Sequence, residues 1–240
     1  MASANAHKVY DGPSMIDGKP IVVIMTGFKR ASKNTKTDDM IQTWILRKDI
    51  APHTAQKTGE DVSICGNCGL RHLLYKRALE RGEVPVADKP CYVKTFQAPL
   101  STWKANKDKD VTPLAEVAEL IKDRQVRWGS YGDAAAVPGH IWGPLKGRKG
   151  TNYTHQWETC NPELRYRTMA SVHSLEERRR AKLKGFGTFR TIRSIDELTS
   201  GEILCPASKE AGARTTCAKC SLCNGRKDND KRKDIAIVSH

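Results

Sequence analysis

The segment from Cys205 to Asn229 constrains this chain more than any other, because it holds four cysteines and almost nothing that could form a core. Cys205-Pro206 is followed by Cys217-Ala218-Lys219-Cys220-Ser221-Leu222-Cys223, and the residues between and after them are mostly Lys, Ser, Gly, Thr, Asn and Asp. Incidental thiols pack as small hydrophobes, and this stretch offers no apolar surroundings for them. Four soft thiolates that a loop can fold around one inorganic centre predict a metal site instead. A Cys-x-x-Cys-x-x-Cys run is how bacterial ferredoxins hold three corners of a [4Fe–4S] cube, whereas structural zinc sites are usually two separated pairs. An iron–sulfur cluster on Cys205, Cys217, Cys220 and Cys223 is the leading expectation, with zinc as the alternative.

A second group lies earlier. Cys65-Gly66-Asn67-Cys68 has the form of a knuckle whose amide N–H groups can point at thiolate sulfurs, and Cys91 can close on it from beyond the helix-like stretch 70–81. Three thiolates form an incomplete tetrahedral set, whose fourth position is open to Cys160, His72, a water or a substrate. The chain has eight cysteines. Its first residues lack the basic start and apolar run of a secretory signal, which predicts a reducing cytoplasm and thiols that bind metal rather than pair. The longest early apolar run, Ile21 to Met25, is too short to span a membrane.

Elsewhere the pattern alternates. Pro20 and Gly27 bound a β-branched strand at 21–25, and residues 40–46 fit a strand or a helical turn equally well. Strands are expected at 91–96, 126–131, 153–157, 168–172, 187–192, 202–205 and 234–238. Leu114, Val117, Ala118 and Ile121 have helical spacing, and a charged helix over 175–185 has Ser174 to cap its start and Gly185 to end it. Repeating strand–helix units predict an α/β fold with a mainly parallel sheet, barrel-like whether complete or partial, and a cysteine-rich metal-binding C-terminal lobe. The expected organisation is an irregular arm over 1–20, an α/β domain over 21–204 carrying Cys65, Cys68 and Cys91, a cluster-binding segment over 205–233, and a terminal strand over 234–240 that returns to the sheet.

Polar residues just beyond the apolar parts of the strands, above all Asp133 and His155 beside aromatic neighbours, are the candidate catalytic pair, since that edge forms the active site in α/β barrels. Lys plus Arg exceed Asp plus Glu by 41 − 27, which is +14. Such an excess attracts polyanions, and Arg178, Arg179, Arg180, Lys231, Arg232 and Lys233 are the candidate nucleic-acid contacts. The helix also carries Glu176 and Glu177, which can pair with part of that charge. No Walker loop, dinucleotide fingerprint, nucleophile elbow or His-Glu-x-x-His helix is present.

Several pieces together resemble an uncharacterised family of proteins encoded by bacteriophages and prophages: Asn34-x-Lys36-Thr37 with Met40-x-Gln42-x-Trp44-Ile45-Leu46, Ile64 to Cys68, Cys91-Tyr92-Val93, Gly132-Asp133 with 135–138, Tyr153 to Trp157, Met169 to Val172, and Cys205-Pro206-Ala207-Ser208 through Cys223-Asn224-Gly225. The resemblance implies a viral or prophage origin, hence the cytoplasm of a bacterial host, and no particular activity. A weaker resemblance is to radical S-adenosylmethionine-type α/β barrels, which have three cysteines leaving one iron open and an auxiliary cluster near the C-terminus. Those enzymes carry their three cysteines close together on one loop, which Cys65, Cys68 and Cys91 do not. Both an iron–sulfur enzyme and a metal-stabilised nucleic-acid-binding protein without catalysis are compatible with these features.

Overall fold

The strand predicted at 21–25 is the centre of the first half of the molecule. In this computed structural model, which describes residues 4–32 and 34–239, β2 runs over Pro20–Thr26, with Ile21 to Met25 all 0 % exposed. A run of five buried residues requires cover on both faces, which β-branched side chains pack well. β1 (Ala6–Pro13) pairs antiparallel on one side of it and β3 (Ile41–Arg47) on the other. The chain then leaves the sheet through α1 (Pro52–Thr58), α2 (Val62–Cys65), α3 (His72–Glu80), α4 (Ala98–Asn106) and α5 (Leu114–Ile121). It returns as β4 (Val126–Tyr131) and β5 (Gly150–Thr151), which extend the sheet in parallel from β3. On α5 the four spaced apolar residues are the four buried ones, and they join the core formed with β2, β3 and β4.

The second sheet begins one residue later. β6 (Tyr153–Thr154), β7 (Met169–Val172), β8 (Thr188–Ile192), β9 (Glu202–Leu204) and β10 (Asp234–Val238) are parallel throughout, in the order β6-β7-β8-β10-β9. The last strand therefore inserts between two earlier ones. α6 (Leu175–Leu183) crosses from β7 to β8. The Ser174 hydroxyl accepts from the Glu177 amide at 3.1 Å, and Gly185 follows the helix with a φ of +80°, as the cap and stop residues predict. Ala170, Val172, Ala181, Phe186 and Trp157 form the core on one face; on the other, Met169 and Ile235 pack with Tyr153, Phe189, Ile203 and the cysteine-rich loops. Where β9 and β10 begin, Glu202 and Asp234 have fully buried carboxylates, held by Arg190 at 2.7 Å and by Arg178, Arg226 and Lys182 at 3.0, 3.0 and 3.2 Å.

Four expectations need correction. Among the described residues the two five-stranded sheets are open and do not close into a barrel; β2 runs antiparallel to both of its neighbours, and the sheet breaks at Asn152. The expected irregular arm contains β1, because polar residues such as Lys8 and Asp11 are accommodated on an outer strand by their own ion pair; residues 1–3 of that arm and residue 240 lie outside the described residues. Residues 91–96 form no strand, and β6 stops at Thr154 rather than 157. There the Asp133 carboxylate accepts from the His155 amide and the Thr154 hydroxyl accepts from the Gln156 amide, turning the chain off the sheet.

Candidate metal centres

The four C-terminal cysteines come from two loops. Cys205 follows β9, its amide donating to the Ala236 carbonyl of β10, while Cys217 and Cys220 are the ends of a single helical turn, α7 (Cys217–Cys220), capped by Thr216. Cys223 is held where its carbonyl accepts from the Asn152 amide at 3.0 Å. Burial raises the Cys205 thiol pKa, and the nearby backbone N–H groups of Ala207 and Ser208 pull it back. Donors two and three residues beyond a cysteine are what a metal-bound thiolate uses to disperse its charge. The Cys223 thiol is pushed up to about 12 by burial, with a hydrogen bond from Tyr153 opposing and Cys205, Cys217 and Cys220 adding to the rise. Cys217 is raised by burial and by Cys205, against Arg127 and Lys36. The four sulfurs are thus within electrostatic reach of one another, beside two cationic side chains. Without a cation the raised thiols of Cys205, Cys217 and Cys223 stay protonated; an inorganic centre reverses that preference.

The earlier group converges from three elements. Cys65 ends α2, Gly66 turns the chain at a φ of +55°, and the Cys68 amide donates to the Cys65 carbonyl. A side chain at Gly66 would collide with Gln156, whose amide group donates to the Cys65 carbonyl at 3.1 Å. Arg71 fixes the turn from below, pairing with the buried Asp61 at 2.7 Å and donating to the carbonyls of Gly59 and Gly66. Cys91 is brought in by its amide donating to the Leu70 carbonyl at 2.7 Å. Burial raises all three thiols, Cys68 to about 12, while the N–H groups of Leu70 and Val93 donate to Cys68 and Cys91. His72 turns its ring to the Cys91 carbonyl at 3.1 Å, and Cys160 packs with the Trp157 core, so neither of these two expected fourth partners faces the three sulfurs. His155 approaches one of them, with its Nε2 3.5 Å from the Cys68 sulfur and its ring stacked on His173 at 5.3 Å. Sequence spacing carried no signal for this pairing, since 87 residues separate the two.

Among the described residues no group of three or more His, Cys, Asp or Glu side chains already stands around a single ion's position. Any ion or cluster must therefore draw these side chains inward on binding.

The expected catalytic pair is differently employed. Asp133 is buried, its pKa pushed up to about 6 by desolvation against hydrogen bonds from the Ala135 and His155 amides and from Thr154 and Gln156. A carboxylate so occupied ties β4 to β6. His155 is held neutral, lowered to about 3 by burial and then by His173. The cleft of about 490 Å³ lined by Trp157, Cys160, Arg165, Lys184 and Phe186 includes neither residue. The expected nucleic-acid contacts are also partly engaged: Arg178 pairs with Asp234, Arg179 with Glu176, Arg180 with Glu158, and Arg232 with Asp230 and the Gly225 carbonyl. Lys231 and Lys233 remain exposed. Among the described residues no helix is long and apolar enough to cross a membrane.

Comparison with protein-family models, with curated proteins and with solved structures returns no match for this chain. The α/β class therefore stands on the two sheets, and the chemistry on the two cysteine groups.

Proposed function

We propose that this chain is an iron–sulfur protein whose C-terminal lobe holds one [4Fe–4S] cluster through Cys205, Cys217, Cys220 and Cys223. The observation that carries the reading is that Cys205 and Cys223 pack on the Tyr153, Met169 and Phe189 face of the second sheet, with Cys217 and Cys220 within electrostatic reach of both. The donor set fits: all four ligands are soft, the backbone N–H groups of Ala207 and Ser208 lie near Cys205, and Lys36 and Arg127 offset the negative charge of a thiolate-bound cluster. With a cysteine on every iron, such a cluster supplies electron transfer or structural order rather than an open Lewis-acid position. This favours a carrier or cluster-ordered binding role over an enzyme acting through Asp133 and His155, both of which are tied into the fold. The resemblance to bacteriophage and prophage proteins gives the setting, a chain made inside an infected bacterium. Nucleic-acid binding through Arg178, Arg179 and Arg180 has less support, because each of these arginines has an acidic partner of its own.

Protein purified without oxygen is expected to be brown, to absorb broadly near 400 nm and to contain about four irons per chain, the stoichiometry of one Cys₄ cube. Colourless protein with zinc on these four cysteines would overturn the cluster assignment.

A further inference from the structure

We propose that Cys65, Cys68, Cys91 and His155 form a second metal site, a closed Cys₃His zinc site that joins the cysteine knuckle of the first half to the first strand of the second. The inference is independent of what the C-terminal cysteines hold.

The geometry points to a single ion shared by a thiolate and an imidazole. In a tetrahedral site with Zn–S of about 2.3 Å and Zn–N of about 2.0–2.1 Å, ligand sulfur and nitrogen lie about 3.6 Å apart. Cys68 Sγ and His155 Nε2 are 3.5 Å apart. Cys65 and Cys91 are both within electrostatic reach of Cys68, and binding the ion draws their sulfurs in to complete the set. Cys68 and Cys91 each accept the N–H of the residue two positions on, the donors a metal-bound thiolate requires. Three soft thiolates and one imidazole suit zinc better than a hard cation, and a fourth ligand leaves no position for substrate, which is the mark of a structural site.

The surroundings orient His155 for this role from every side. Its amide is held by the Asp133 carboxylate at 2.8 Å, and its ring lies nearly parallel to His173, at 17°. Both ring nitrogens of His173 are buried without a partner, so its contribution is to stack rather than to compete for hydrogen bonds. On the cysteine side, Gln156 and Arg71 fix the carbonyls of Cys65 and Gly66. Binding releases the three thiol protons to solvent, and the net charge of −1 left on three thiolates and Zn²⁺ faces Arg71. The chain between α3 and α4, residues 81–97, has no regular secondary structure and gains its tether at Cys91.

The test counts metals in anaerobically purified full-length protein. Wild type is expected to hold about one zinc per chain at this Cys₃His site in addition to whatever the C-terminal cysteines bind. His155→Ala should lose at least tenfold of that zinc on dialysis against a weak chelator with its iron unchanged, and His155→Cys, which restores a fourth ligand, should keep it. If the C-terminal cysteines hold zinc instead of iron, wild type carries two zincs and His155→Ala one, so the cluster reading falls while this site stands. Zinc missing from wild type at this site, or retained equally by His155→Ala, overturns the proposal. A thiol–imidazole hydrogen bond gives a similar separation, so cobalt(II) substitution supplies a second readout even where His155→Ala fails to fold. Adding a fourth thiolate in His155→Cys should raise the sulfur-to-cobalt charge-transfer intensity of this site by about one third; unchanged intensity overturns the assignment of His155.

Discussion

The two sheets bury comparable numbers of strands by different means. The first has a continuous apolar core running from Val9 through Ile21–Met25, Ile45, Val117, Ile121 and Trp142, with its cysteines at the rim. The second has two small clusters, of which one needs Cys223, Cys205 and Leu222 to be complete, and its strands start at the buried ions Asp234 and Glu202. The difference teaches where stability has to come from. A sheet with sufficient apolar cover is held by burial, whereas a sheet built on short strands draws on paired charge and, under the proposed function, on its cluster.

The largest effect that would sharpen this contrast is expected at the C-terminal cysteines. Cys220→Ser should abolish cluster content and lower the melting temperature by about 10 °C, equivalent to roughly 4 kcal/mol in a domain of this size. A variant that loses its iron but melts like wild type would show that the second sheet is held without its metal. Next in size is Asp234→Asn, which removes the anion shared by Arg178, Lys182 and Arg226 and leaves Arg178 with only its longer pair to Glu202. Denaturant titration should give a loss of about 3–5 kcal/mol; a loss below about 1 kcal/mol would mean that the ions are incidental to this half. Cys68→Ser, on the rim of the larger core, should cost only about 1–2 kcal/mol while losing its zinc, because Ile64 and the Arg71–Asp61 pair hold the knuckle independently. Equal destabilisation by Cys68→Ser and Cys220→Ser would erase the distinction.

The smallest effect concerns acid. Asp230 is held down to about 2, chiefly by hydrogen bonding from the Arg232 side chain. Its folded pKa lies below its unfolded one, so its contribution is present above about pH 4 and is lost as pH falls through about 2. Discounted for solvent, this is about 1 kcal/mol at most. Asp230→Asn should therefore lower stability slightly at pH 6 and not at pH 2, and an equal loss at both values would assign the effect to packing.

Local signals carried much of the fold. Pro20 and Gly27 bracket β2, the 114/117/118/121 spacing marks α5, and Ser174 with Gly185 delimits α6, because each reports a constraint set within a few residues. The cysteine groups were legible for the same reason, their spacing being a local property. What sequence did not convey was set by distant partners. The polar strand β1 exists because β2 offers it a ladder, and β6 ends early because Asp133, twenty-two residues away, captures the His155 amide. Asp133 and His155 stood out as a reactive pair at a strand edge; their burial and their partners, which decide their roles, come from chain folded over them. Barrel closure failed similarly, since strand direction is not written in hydrophobic periodicity.

Asn152, the single residue between β5 and β6, leaves the molecule no slack where its halves meet. Its amide takes the Cys223 carbonyl, its carbonyl takes the Met169 amide, and three residues further on is His155. Side chains alternate across a strand, so a one-residue insertion here would reverse the phase of the two-residue strand β6, turning Tyr153 away from Cys223 and carrying the imidazole off the knuckle. The junction works as a gear tooth: it times Tyr153 against Cys223 and the imidazole of His155 against Cys68 in one step.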